Sequence, residues 1–228
     1  MSLKNYIKNK KVNHFSHSGI EIFIKDPLPD HVNMRKVIKL LTKRVPQHLL
    51  TNLEVIYVGV FPELEKREIQ AMFENSSIFI TNNQKSNQDM LDDLVHEVAH
   101  SVEEIEAEAI YSDKEIEREF LGKRREMWVL LKNEGYNLEL NYFLDPDFNR
   151  EFDNFLYMDV GYPILSLLTV NLFYSPYGAT SLREYFANGF EAFFMREDID
   201  RLKAISPKLF TKLVELLDRN KGKTKNDF

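Results

Sequence analysis

Residues 96–100 read His-Glu-Val-Ala-His. At 100° per residue, positions i and i+4 of a helix stand about 40° apart, so both imidazoles can reach one cation. The glutamate beside the first histidine then points towards a water on that cation rather than to the cation itself. On zinc such a water has a pKa of about 7, and a neighbouring carboxylate can take its proton. The chemistry implied is metal-assisted hydrolysis, with His96 and His100 as ligands and Glu97 as the general base. Leu91, Leu94, Val95, Val98 and Val102 make one apolar stripe of the same stretch. The two histidines fall roughly 120–180° from the centre of that stripe. The competing reading is a pair of surface histidines on an amphipathic helix.

A hydrolytic zinc site takes three protein ligands and leaves one position for water. The chain has no cysteine, so every ligand must be nitrogen or oxygen. Residues 181–195 (SLREYFANGFEAFFM) offer the third. Leu182, Phe186, Phe190 and Phe193 form an apolar stripe, and Glu184 and Glu191 share a face about 160° from it. Either carboxylate could complete the site. The expectation is one Zn²⁺ per chain.

The run from Tyr177 to Phe190 (YGATSLREYFANGF) resembles the signature of the anthrax lethal factor–type metalloproteases, which include the Pro-Pro endopeptidases. In that family a tyrosine lies seven residues before a glutamate that opens a Glu-aromatic-Phe-Ala-x-x-Phe helix. The resemblance implies a zincin-like fold with Glu184 as the third zinc ligand and Tyr177 as donor to the oxyanion. It extends over about residues 50–220, including the histidine motif and the final helix near Ser206–Phe210. Two departures stand out. Asn188 occupies the place of a second family glutamate in the metal's outer shell. The histidine motif and Glu184 are 84 positions apart, about twice the family spacing, and the excess falls in residues 137–172 as an insertion.

Substrate binding and catalysis then read as follows. A peptide or protein is cut by a metal-activated water, with Glu97 passing its proton to the leaving amine and Tyr177, or another tyrosine, donating to the oxyanion. Tyr142, Phe143, Phe148, Phe152, Phe155 and Tyr157 of the insertion either wall the substrate or pack on themselves. His14 and His17 read as incidental, and Glu103-Glu104 as charged helix surface. No Gly-rich phosphate loop or nucleophile elbow is present. The alternative is a catalytically inactive zincin-fold module that grips an extended peptide. Asn188 and the insertion favour it, and Glu97 and Tyr177 favour the enzyme.

The elements that must position these groups follow from periodicity. Residues 1–18 read as an irregular lead-in, and 19–25 and 53–60 as strands. Residues 31–44 form a helix, and 68–81 a hairpin turning at Glu74–Ser77. A helix capped by Asn87 or Asp89 runs to about 110, and another spans 113–134 before Gly135. Residues 136–162 read as irregular, and helices over 181–195 and 206–219 close the chain. The fold class expected is α+β, a small mixed sheet lobe with the active-site helix (19–110) followed by a mainly helical lobe (111–220). A basic tail ends the chain at 221–228. A sheet edge is available to an extended peptide.

Composition sets the remaining bounds. The 228 residues are 43% hydrophobic and 29% charged, the balance of a folded domain that buries about 70% of its unfolded surface. A net charge of −6 argues against a nucleic-acid partner. Lysines cluster at both ends (Lys4, Lys8, Lys10, Lys11 and Lys221, Lys223, Lys225) and read as solvated tails. No signal-peptide h-region follows the basic start, so the expected compartment is the cytoplasm, with non-classical export left open. The longest apolar run, Pro163–Tyr174, is too short for a bilayer and reads as a buried helix or a substrate-facing wall. A monomer without a membrane partner is expected.

Overall fold

Strand β1 (Asn13–His17) turns directly into β2 (Ile20–Ile24). The joint is Ser18-Gly19, both at positive φ (53° and 86°), the two-residue turn whose twist matches antiparallel strands. Residues 13–17, expected to be irregular, are therefore an edge strand, registered His17↔Ile20 to Asn13↔Ile24. The computed structural model describes residues 13–196 and 198–219. The lysines at 4–11 and 221–225 lie outside them.

The five strands, with β3 (Val55–Gly59), β4 (Ala71–Glu74) and β5 (Ser77–Thr81), lie in the order β1-β2-β3-β5-β4. The sheet is mixed: β2–β3 and β3–β5 are parallel, and β1–β2 and β4–β5 antiparallel. Ile22, Ile56, Val58, Ile78 and Ile80 are fully buried on one face. On the other, His14, Phe23, Tyr57, Phe79 and Met72 occupy one register row across all five strands. The first four rings of that row stack pairwise with centroids 4.4–5.6 Å apart, which pins the register.

Helix α1 (Met34–Arg44) starts at Asn33, whose side chain accepts from the Lys36 N–H, and buries Val37, Ile38 and Leu41. The short α2 (Pro62–Arg67) has Pro62 in its first turn and stops at Glu68 in the left-handed region. Helix α3 (Asn87–Tyr111) carries the histidine motif. Its cap is Ser86, not Asn87 or Asp89. The Ser86 hydroxyl accepts from the N–H groups of Gln88 and Asp89 and donates to the Asp89 carboxylate.

The remaining helices are α4 (Glu115–Asn133), α5 (Leu140–Leu144), α6 (Arg150–Asn154), α7 (Tyr162–Leu168), α8 (Leu182–Met195), α9 (Ile199–Ile205) and α10 (Pro207–Asp218). A π-helical turn (Phe155–Val160) joins α6 to α7, and a 3₁₀ turn (Pro176–Ala179) precedes α8. Segment 136–162, expected to be irregular, is thus built largely of short helices. Pro146 and Gly161 interrupt them too often for any helical period to register. With ten α-helices and one five-stranded mixed sheet among the described residues, the fold is α+β and mostly helical. No helix among the described residues is long and apolar enough to cross a membrane. The chain divides into two compact units, up to Ile105 and from Glu106 onward.

In the second unit, buried polar groups of α4 fasten the others. The Lys123 ammonium donates to the carbonyls of Leu172 and Ile205 and to the Ser206 hydroxyl, all at 2.6–2.8 Å. Arg124, fully buried, donates to the carbonyls of Asp145 and Tyr142 and stacks 4.0 Å from the Phe152 ring. The Glu119 carboxylate accepts from the Tyr185 hydroxyl and from the Lys208 and Leu209 N–H groups, so it caps α10 from outside.

Candidate metal centre

Helix α3 carries His96, Glu97 and His100 in its middle turns, interleaved with Leu91, Leu94, Val95, Val98 and Val102, which are fully buried. The motif side is not solvent-facing: Glu97 and His100 are each only 8% exposed. His100 is therefore not a surface histidine, and His96 is half-buried. The imidazoles stand edge to face with centroids 5.2 Å apart. Next to them Glu103, expected to be surface, is buried and places a carboxylate oxygen 3.5 Å from His100 Nδ1. An i,i+3 carboxylate at Nδ1 restrains the ring's orientation. Glu104 is exposed and accepts instead from the Asn52 side-chain amide.

Helix α8 begins at Ser181, whose hydroxyl accepts from the Glu184 N–H at 3.2 Å. Glu184 therefore sits in the first helical turn, where the helix dipole favours an ionised carboxylate. One residue on, the Tyr185–Glu119 hydrogen bond of 2.8 Å fixes that turn. Tyr177 lies on the Pro176–Ala179 turn and is 37% exposed. Asn188 accepts a 2.5 Å hydrogen bond from the Ser175 hydroxyl. It also packs on Gly178, where an added Cβ would lie 3.2 Å from its Oδ1. The observed work of Asn188 is thus to hold the Tyr177 turn on α8.

One ligand atom each from His96, His100 and Glu184 lie within 4.8 Å of one another. Glu191, the other candidate third ligand, is not part of this group. Two imidazoles and one carboxylate, with no sulfur, form the donor set of a hydrolytic zinc site.

Three further groups escaped the sequence pattern. Glu103 was hidden because a Glu-Glu pair looks like solvated surface, although its i+3 spacing from His100 was visible. Asp153 and Tyr162 belong to the segment 137–172. Burial, and then the Glu184 charge, holds the Asp153 carboxyl above its usual range. Burial, then Asp153 and Glu184, pushes the Tyr162 phenol up. No periodicity points to either, since their place beside Glu184 is a tertiary matter.

His14 and His17 do not form a second site. Being three apart on a strand they take opposite faces, His14 at 2.5 Å from Glu21 and His17 at 3.1 Å from the Thr42 hydroxyl. Phe143, Phe152 and Phe155 of the segment 137–172 are buried, with Phe143 packing on the other two, while Phe148 and Tyr157 are exposed. Compared with protein-family models, curated proteins and solved structures, the chain matches none.

Proposed function

We propose that the chain is a zinc-dependent endopeptidase with a zincin-like, lethal factor–type catalytic domain. The observation that carries this reading is the grouping of His96, His100 and Glu184 donor atoms on the helix pattern that also supplies a buried Glu97. Zinc bound there would polarise the scissile carbonyl and bring a water to a pKa of about 7. Glu97 takes the proton of that water and delivers it to the leaving amine. Its near-complete burial suits a carboxylate that must shuttle a proton rather than stay solvated. Tyr177 donates a hydrogen bond to the oxyanion as charge develops. Glu103 orients His100, and Asn188 holds the turn that presents Tyr177.

The test is metal analysis joined to peptide cleavage. The purified chain is expected to hold one zinc, to lose it in His100→Ala, and to keep it in Glu97→Ala with turnover down by at least about a hundredfold. A chain that takes up no zinc ends the proposal. A chain that keeps zinc and binds peptides but never cuts them is instead the inactive binding module.

A further inference from the structure

We infer that residues 155–170 form an apolar wall that binds a large hydrophobic side chain of the peptide beside its scissile bond. The inference rests on the peptidase reading and adds the substrate class: peptides carrying Leu, Met, Phe or Tyr near the cut.

Exposed apolar side chains are not spread evenly over this molecule. Of the eleven large hydrophobic residues exposed among those described, eight fall between Leu144 and Tyr177. Scattered ones need no explanation, but a concentrated patch on one segment does. Met158 is 72% exposed and Leu167 79%, with Ile164 and Val170 also open. Helix α7 buries only Leu165, so a helix of apolar sequence turns most of itself outward, the reverse of a core element. The run Pro163–Tyr174, expected to be a buried helix or a substrate-facing wall, buries Leu165 and Phe173 and exposes Ile164, Leu167 and Val170.

The segment is firmly backed. Phe152, Leu156 and Leu165 are fully buried beneath it, and Lys123 ties its end through the Leu172 carbonyl at 2.8 Å. A surface held this way is pre-organised, and it spares a ligand the cost of ordering it. The segment also adjoins two site residues. Helix α7 packs on the turn that carries Tyr177. The Leu182 N–H, two residues before Glu184, donates to the Pro146 carbonyl at 2.8 Å. The Glu184 charge reaches Asp153 and Tyr162, and Tyr162 packs on Tyr157 with ring centroids 5.4 Å apart. Its packing on the Tyr177 turn and the reach of the Glu184 charge put the segment next to two residues of the proposed site, so the occupant inferred is a bound peptide.

The experiment compares the wild-type chain with the double variant Met158→Asp/Leu167→Asp. Zinc content, cleavage of a peptide library, and binding of the same peptides to the Glu97→Ala forms are all measured. The expected result is cleavage next to large apolar residues, with the variant losing at least about tenfold in kcat/KM through KM while zinc content is unchanged. Equal cleavage of apolar peptides by both proteins overturns the wall and leaves the peptidase standing. Apolar peptides that bind but stay uncut, with binding lost in the variant, overturn the peptidase and sustain the wall. Absence of both binding and cleavage overturns both. A wild-type dimer that the variant converts to monomer, with cleavage unaltered, shows that a second copy covers the patch and also overturns the wall.

Discussion

At the scale of single residues, His100 has a neighbour that its motif does not predict, Glu103. Both are nearly buried, and a Glu103 carboxylate oxygen lies 3.5 Å from His100 Nδ1. On the peptidase reading, Glu103→Ala is expected to weaken zinc about 10–100-fold. Glu103→Gln should fall between Ala and the native residue, because an amide oxygen can still face Nδ1. Competition against a chelator of known affinity measures both, and unchanged affinity in Glu103→Ala removes the orienting role. Asn188 makes a different claim. Asn188→Ala leaves the Ser175 hydroxyl without its acceptor, and is expected to lower stability by about 1 kcal/mol at unchanged zinc content. Turnover should fall as Tyr177 loosens, read as kcat against metal stoichiometry. The His96–His100 motif was legible in sequence because it is local: five residues on one helix fix their own geometry. Glu184 and Glu191 could not be separated that way, since both lie on one face of α8 and only Glu184 belongs to the group with His96 and His100. Glu103 was misread for the complementary reason, that burial is not a property of a sequence position.

At the scale of elements, long periodic segments were legible and short ones were not. Helices α1, α3, α4, α8 and α10 and strands β2, β3, β4 and β5 all lie where their spacing puts them. Strand β1 was lost because its alternating residues, His14, Ser16 and Phe15, are weakly contrasted in polarity. Its true signal was the Ser18-Gly19 turn. Helices α5, α6, α7 and α9 have five to seven residues each, too few for a 3.6-residue period to stand out. Two predictions belong here. Ser86→Ala removes the acceptor for two N–H groups at the start of α3 and is expected to cost about 1 kcal/mol. The denaturation midpoint should shift without a change in the slope of the transition. The other concerns helix packing. A Cβ on Gly189 of α8 would lie 2.2 Å from Leu209 Cδ2 and 2.9 Å from Cγ, so the helices meet across a bare backbone. Gly189→Ala is expected to destabilise by about 1–3 kcal/mol despite its better helix propensity. Leu209→Ala, in a double-mutant cycle, should recover part of that loss. A stabilised Gly189→Ala protein would mean that the α8–α10 contact is looser than described.

At the scale of the whole molecule, the buried Lys123 ammonium makes stability depend on alkaline pH in a defined direction. Burial lowers its pKa from 10.5 to about 8. Below pH 8 both folded and unfolded chains carry the proton, and the desolvation penalty is constant. Between about 8 and 10 the unfolded chain keeps a proton that the folded chain has shed, so the folded state gains ground as pH rises. Above about pH 10 the sign reverses. Burial holds the Tyr185 phenol well above its ordinary range, so the unfolded chain there loses a proton that the folded chain retains. Unfolding free energy is therefore expected to climb from pH 8, peak near 10 and fall beyond. Lys123→Met should flatten the rising limb. It should also be less stable at every pH, since the carbonyls of Leu172 and Ile205 lose their donor. Urea titrations across that range at fixed ionic strength read the slope directly, and a wild-type curve that falls steadily from pH 8 would mean that Lys123 keeps its charge. The same three acceptors tie α4 to the end of the exposed wall and to the start of α10. A flattened rising limb accompanied by weaker binding of apolar peptides would show that one buried amine supports both the stability of the helical unit and the surface it presents.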